Sequence, residues 1–232
     1  MNTADCGVIF DMDGVLADTA EAHYQSWQVV AEEYDTDISR ELFHQTFGRP
    51  NHQIIPQMLG REVTDEELRR IDRLKEEAFR DILADTVKPV SGVVELIEEL
   101  AAEGYRIGLG SSGPRENIEA ILGALGVRDY FGAVVSGWDV ERGKPEPDVF
   151  LMVADRLGVA SGNCVVIEDV PAGIRAAHAA GMLCVAVTTT HAEELLGEAE
   201  LVLEDLRDFG SADVAEMLHI RQAGVDSASS AD

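Results

Sequence analysis

The chain has 232 residues, 46% hydrophobic and 27% charged, enough for one large domain or for a core carrying a smaller insert. Forty-four acids against eighteen bases give a formal net charge of −26, which disfavours nucleic acid and anionic membrane as partners. An anionic substrate must then be drawn in by a local cation or a metal.

Val8, Ile9 and Phe10 read as a short buried strand that delivers Asp11-Met12-Asp13-Gly14 at its carboxyl end. Ligands of open α/β sheets bind just beyond the carboxyl ends of strands. Two acids one residue apart repel unless a cation lies between them, which points to Mg2+. From 18 to 86 the pattern is helical, with Ala22, Ser26-Trp27 and Val30-Ala31, then Leu68, Ile71, Leu74-Lys75, Ala78-Phe79 and Ile82-Leu83, at helical spacing. Gly48-Arg49-Pro50-Asn51 and Leu59-Gly60 break it, and Thr64 with Glu67 reads as a capping box. This run is too long for an ordinary strand-to-helix connection and reads as an inserted all-helical cap.

Beyond Lys88-Pro89 strands and helices alternate. Helix 91–103 precedes strand 105–110, helix 114–125 precedes strand 133–135, and helix 147–157 precedes strand 164–167. Helix 171–180, strand 183–187, a weak strand 201–203 and a short last helix follow. Alternation of this kind implies an α/β fold, a Rossmann-like parallel sheet with helices on both faces. The core is expected over 1–17 and 87–222, and residues 223–232, rich in Ser and Ala, are expected to be a disordered tail. Cys6, Cys164 and Cys184 have no metal-type spacing, and no segment resembles a signal peptide or a membrane span. A reduced, cytoplasmic monomer or weak homodimer is the expectation. The acid excess reads as a solubilising shell; with only three lysines, it also suggests adaptation to high salt.

Four sites fall at carboxyl ends of the expected strands: Asp11 and Asp13; Ser111-Ser112-Gly113; Lys144 within Gly143-Lys144-Pro145-Glu146-Pro147-Asp148; and Glu168-Asp169. Each alone has a bland explanation as a turn, a helix cap or a surface charge. Together, two acid pairs, a hydroxyl and a lysine at one sheet edge suit phosphoryl transfer. Asp11 can attack phosphorus once Mg2+ cancels the repulsion between two anions. Asp11, a backbone carbonyl near Asp13, and Asp169 can hold the metal, with Glu168 ligating directly or through water. Lys144 and Ser111, with Ser112 and the amides of the following helix, can bind the phosphoryl oxygens. Asp13 can protonate the leaving alkoxide and then activate water.

FDMDGVLADT, the strand ending in Ser111, GKPEPD and VVIEDVPAGIRAAHAAGM resemble the four ordered motifs of the haloacid dehalogenase superfamily, spanning about Val8 to Val187. The resemblance implies a Rossmann-like core, a type 1 helical cap closing over the site, an aspartyl-phosphate on Asp11 and Asp13 as acid/base. Within that superfamily the chain is similar to the subgroup of β-phosphoglucomutase and small sugar-phosphate phosphatases. Asp13 with Glu168-Asp169 speaks against dehalogenases, which lack the second acid, and against phosphonate-cleaving members. A mutase would need a cap arginine after Gly48; Arg49 is near but shifted in register, and Arg80 is an alternative. Val170 and Trp138 also depart from the pattern of many relatives.

In the cap, Trp27 reads as core, while His23 is divided between hinge packing and substrate contact. Asn51, His52 and Gln53 are substrate candidates or simple caps, and Arg115 is a substrate contact or a surface residue. The expected function is a Mg2+-dependent phosphatase acting on a small phosphate ester, most simply a sugar phosphate. The rivals are a β-phosphoglucomutase-type mutase, a phosphoaspartate signalling module, and a metal-dependent sugar transferase for which no nucleotide loop is visible.

Overall fold

The computed structural model describes residues 2–229, with side chains for all but Asp85 and those beyond 221. Strand β1 (Gly7–Phe10) is followed by helices α1 (Ala20–Glu33), α2 (Arg40–Thr46), α3 (Asn51–Leu59) and α4 (Asp65–Thr86). Then come α5 (Val93–Ala102), β2 (Arg106–Gly110), α6 (Arg115–Leu125), β3 (Ala133–Val135) and α7 (Asp148–Leu157). The chain continues through β4 (Cys164–Glu168), α8 (Pro171–Ala179), β5 (Leu183–Val187), α9 (Glu193–Leu196), β6 (Leu201–Leu203) and α10 (Ser211–Ser229). The tail expected from Ala223 falls on residues outside those whose side chains are described.

The six strands form a parallel sheet in the order β3-β2-β1-β4-β5-β6. The alternation of side chains along each strand divides the apolar residues between two cores. Val8, Phe10, Ile107, Leu109, Val165 and Ile167 pack on one face with Leu96 and Ile97 of α5 and Ile118 and Ile121 of α6. Ile9, Val135, Val166 and Cys184 pack on the other with Phe150 and Val153 of α7 and Ile174 of α8. Apart from Arg106 at the start of β2 and Glu168 at the end of β4, the strands are apolar on both faces and sit between two helical layers. None of the three cysteines forms a disulfide. Among the described residues no helix is long and apolar enough to cross a membrane.

Helices α1 to α4 enclose a third core of Trp27, Val30, Ile38, Phe43, Ile54, Ile55, Met58 and Ile71. Two details differ from the sequence reading. The helical run breaks once more, between Tyr34 and Ser39, where Asp35 adopts a φ of 47° and the Ser39 hydroxyl caps α2 by accepting from the Leu42 N–H. The capping box is half made: Thr64 accepts from the Glu67 N–H, but the Glu67 carboxylate pairs with Arg61 at 2.6 Å.

The chain runs from β1 to β2 and β3 on one side, then returns past β1 to lay down β4, β5 and β6 on the other. The order therefore reverses between β1 and β4, where a crevice opens at the carboxyl ends. Phe10 is in register with Ile167, so Asp11 and Glu168 leave the sheet side by side.

Candidate active site

Asp11 continues the ladder of β1, its N–H donating to the Ile167 carbonyl at 2.9 Å. The chain then turns sharply: the Met12 carbonyl accepts from the Leu16 N–H at 2.8 Å, and Gly14 has a φ of 77°. A Cβ on Gly14 would collide with the Asp169 carboxylate, so only glycine lets this turn close on the end of β4.

Lys144, in the loop between β3 and α7, donates to Asp11 Oδ1 at 2.7 Å and to Glu168 Oε1 at 2.6 Å. Its side chain is buried, with the ammonium 4.8 Å from the Phe150 ring centroid. The second Glu168 oxygen accepts from the N–H groups of Asp169 and Val170 at the entry to α8. Burial disfavours the Lys144 ammonium, but the charges and hydrogen bonds of Asp11 and Glu168 outweigh it and push its pKa up. Burial pushes Asp11 up to about 7, with Glu168 and Asp13 adding to the effect and Lys144 opposing it.

Asp169 is sealed from solvent, and no hydrogen bond of ordinary geometry reaches either of its carboxylate oxygens. Burial and the neighbouring Glu168 and Asp11 hold it well above the usual carboxylate range, against weaker opposing effects of the Thr190 hydroxyl and Lys144. Asp11, Glu168 and Asp169 offer ligand atoms within 4.8 Å of one another. An orphaned buried carboxylate costs free energy, and three carboxylates sharing one ammonium leave a net negative hole. An all-oxygen donor set of this charge fits a hard divalent cation such as Mg2+.

Asp13 is turned away from that cluster. Its Oδ1 accepts from the Thr19 hydroxyl at 2.6 Å and meets His23 Nε2 at 3.1 Å. His23 Nδ1 lies 2.8 Å from Lys75 Nζ. An ammonium only donates, so Nδ1 accepts, and the proton on Nε2 is donated to Asp13. His23 also stacks on Phe79, with centroids 3.9 Å apart. Burial alone would raise the Asp13 pKa; His23, the Thr19 hydroxyl and Lys75 outweigh it and hold the acid below its ordinary value.

Behind this pair lies a buried polar chain that the sequence reading did not find. Lys75 pairs with Glu76 at 2.8 Å, and Glu76 Oε1 accepts from Asn51 at 2.6 Å. Glu76 Oε2 accepts from Asn117 of α6, which joins α4 to the sheet domain. One signal was present: Lys75 occupies the apolar register of α4, one turn from Ile71 and from Phe79, where a lysine must be buried and paired.

A cleft of about 650 Å3 opens between α1 to α4 and the sheet edge. Asp13, His23, Trp27, Arg49, Asn51, His52, Gln53 and Ser112 line it, although Trp27 is almost wholly packed in the cap core. Ser111 lies buried behind Ser112, its hydroxyl accepting from the Gly113 N–H at 3.0 Å. Arg80 does not line the cleft; its guanidinium donates to Asn117 Oδ1 at 3.0 Å, because its place on α4 faces α6. Arg115 also lies outside, paired with Asp139 at 2.9 Å.

The model of the haloacid dehalogenase-like hydrolases matches residues 8–187. The chain is 37% identical over 177 residues to the fructose-1-phosphate phosphatase of Escherichia coli (strain K12), covering 76% of this chain and 93% of that protein. It is 33% identical over 219 residues to the β-phosphoglucomutase of Bacillus subtilis (strain 168), covering 91% and 93%. The crystal structure of a β-phosphoglucomutase from Clostridium difficile superposes with a TM-score of 0.83 at 27% identity, over 94% of this chain and 98% of that one. With the family's motifs brought to one sheet edge and its model spanning most of the sequence, the chain belongs to the haloacid dehalogenase-like hydrolases.

Proposed function

We propose that this enzyme is a Mg2+-dependent phosphatase that hydrolyses a small sugar phosphate by way of a phosphoryl group carried on Asp11. One observation carries the reading: a buried lysine ties Asp11 to Glu168 while the adjacent Asp169 carboxylate is left without a partner. Relatives that act as sugar phosphatases support the substrate class. Three reduced, buried cysteines are consistent with a cytoplasmic enzyme.

Asp11, Asp169, the Asp13 backbone carbonyl and Glu168, directly or through water, would hold the metal. Bound there, Mg2+ would neutralise phosphoryl oxygens and cancel their repulsion of Asp11. Lys144 holds Asp11 Oδ1, leaving the second carboxylate oxygen to attack phosphorus. The ester P–O bond breaks, and its oxygen takes a proton from Asp13. Asp13, again a carboxylate, then removes a proton from water; that oxygen attacks phosphorus, and the bond to Asp11 breaks. The resting enzyme holds Asp13 in its base form, since its pKa is lowered. An incoming anionic ester raises its proton affinity and loads it for the first step.

A screen of phosphate release from sugar and polyol phosphates, with and without Mg2+, tests the reading. Asp11→Asn should abolish turnover with the fold intact; activity near wild type refutes the nucleophile. Arg49, which lines the cleft and has no acid partner among the described residues, favours the mutase as a second reading. β-Glucose 1-phosphate separates the two, giving free phosphate or an isomerised ester.

A further inference from the structure

The cleft carries an aromatic residue that nothing in the phosphoryl chemistry uses. Trp138 lines it with 73% of its surface exposed, more than any other large apolar residue described. A single exposed side chain is ordinary; the turn that presents this one is not loose. The Asp139 carboxylate accepts from both the N–H and the hydroxyl of Ser136, at 2.8 and 3.0 Å, and also pairs with Arg115. Gly137 N–H donates to the Gly113 carbonyl at 3.3 Å, and a Cβ on Gly137 would collide with the Ser112 carbonyl oxygen. The turn is thus pressed against Ser111-Ser112-Gly113, the loop whose hydroxyls and following amides are expected from the sequence to bind the phosphoryl oxygens. Around the same cleft, Arg49 and His52 offer polar groups from the cap.

We propose that Trp138 is a specificity-determining residue: its indole face stacks on the C–H face of a sugar ring whose phosphate lies on the Ser111–Gly113 loop, so that the enzyme prefers cyclic sugar phosphates over open-chain polyol phosphates. This rests on the phosphatase reading and deepens it. The physical basis is the match between a rigid, amphipathic aromatic face and a ring that is apolar on its faces and polar at its rim. An extended polyol phosphate presents hydroxyls along its length and no such face. Placement matters as much as chemistry, since an aromatic held beside the phosphoryl loop meets the leaving group, not the solvent end of the substrate.

The test compares a hexopyranose phosphate with the hexitol phosphate of the same carbon count. Trp138→Ala should lower kcat/KM for the ring ester about tenfold, mostly through KM, and for the hexitol ester by less than about twofold. Trp138→Phe, which keeps an aromatic face, should retain the preference and so separates lost stacking from a damaged fold. Fluorescence gives an independent readout: the chain has two tryptophans, and Trp27 is buried. Titrating Asp11→Asn protein with the ring ester in Mg2+ should shift the emission of exposed Trp138 to the blue, and the shift should vanish with Trp138→Phe added. Equal losses for both esters in Trp138→Ala, or no shift with the ring ester, overturn the proposal while leaving the phosphatase reading intact. If neither ester is hydrolysed by wild type, the phosphatase reading fails, and the titration alone decides whether the indole meets a ring.

Discussion

Replacing Asp169 by Asn should make the metal-free protein more stable and at the same time remove its response to Mg2+. The carboxylate is sealed, lacks a hydrogen bond to either oxygen, and is held well above its ordinary pKa by burial and by Glu168 and Asp11. With no metal bound, a buried carboxylate without a compensating cation of its own costs about 4 kcal/mol. An amide in its place escapes that cost but leaves polar atoms partly unpaired, about 1–3 kcal/mol. The net gain is about 1–3 kcal/mol, and each kcal/mol is worth about 2–4 °C in Tm for a chain of this size. The sign with pH follows from the raised folded-state value. Below its unfolded pKa Asp169 is protonated in both states and costs nothing; stability is lost as pH rises toward the folded value. The advantage of Asn should therefore grow toward neutrality, shrink as pH falls and turn into the amide's own deficit near pH 4. Urea unfolding in EDTA at about pH 4.5, 6 and 7.5 measures it, and repetition in Mg2+ should stabilise wild type far more than the variant. A variant less stable than wild type in EDTA at pH 7.5, or one that responds to Mg2+ equally, refutes the assignment of Asp169 as an unmet metal ligand.

Lys144→Met leaves Asp11 and Glu168 without their shared cation; the chelated protein should lose about 3–5 kcal/mol in urea unfolding at pH 7 and phosphatase activity should fall to background. Lys75→Met removes the ammonium that fixes the His23 tautomer, so the Asp13 pKa should rise toward its ordinary value. Because Asp13 must carry a proton into the first step, the alkaline limb of the kcat/KM profile should then move to higher pH; an unmoved limb would disconnect Lys75 from Asp13. The net charge of −26 predicts self-repulsion that salt screens, so Tm should rise between about 0.05 and 1 M NaCl, where the screening length falls to about 3 Å, and a falling Tm would argue against the high-salt reading.

Much of the site was legible because each of its parts is local. Asp11 follows three apolar residues of a buried strand, and Glu168-Asp169 follows Val165-Val166-Ile167, so both pairs announce a carboxyl end before any partner is known. Lys144 is marked by its GKPEPD setting. The Lys75-Glu76-Asn51-Asn117 chain was not legible in the same way, because each member by itself has the polarity of a helix surface. Its partners come from α3, α4 and α6, far apart in sequence. Arg80 turns to Asn117 of α6 and not to the cleft for the same reason: helical periodicity gives a face but not the element that face meets.

Strand periodicity, helix punctuation and motif spacing are properties of neighbouring residues, so the parallel sheet, the helical insert and the acids at one edge can be read from the chain alone. No local pattern says that Lys144 bridges Asp11 to Glu168, that Asp169 is orphaned, that His23 holds the Asp13 side chain, or that a rigid turn presents Trp138 to the cleft. Those are facts about which buried polar groups find partners, and burial and pairing are fixed only when distant segments pack together.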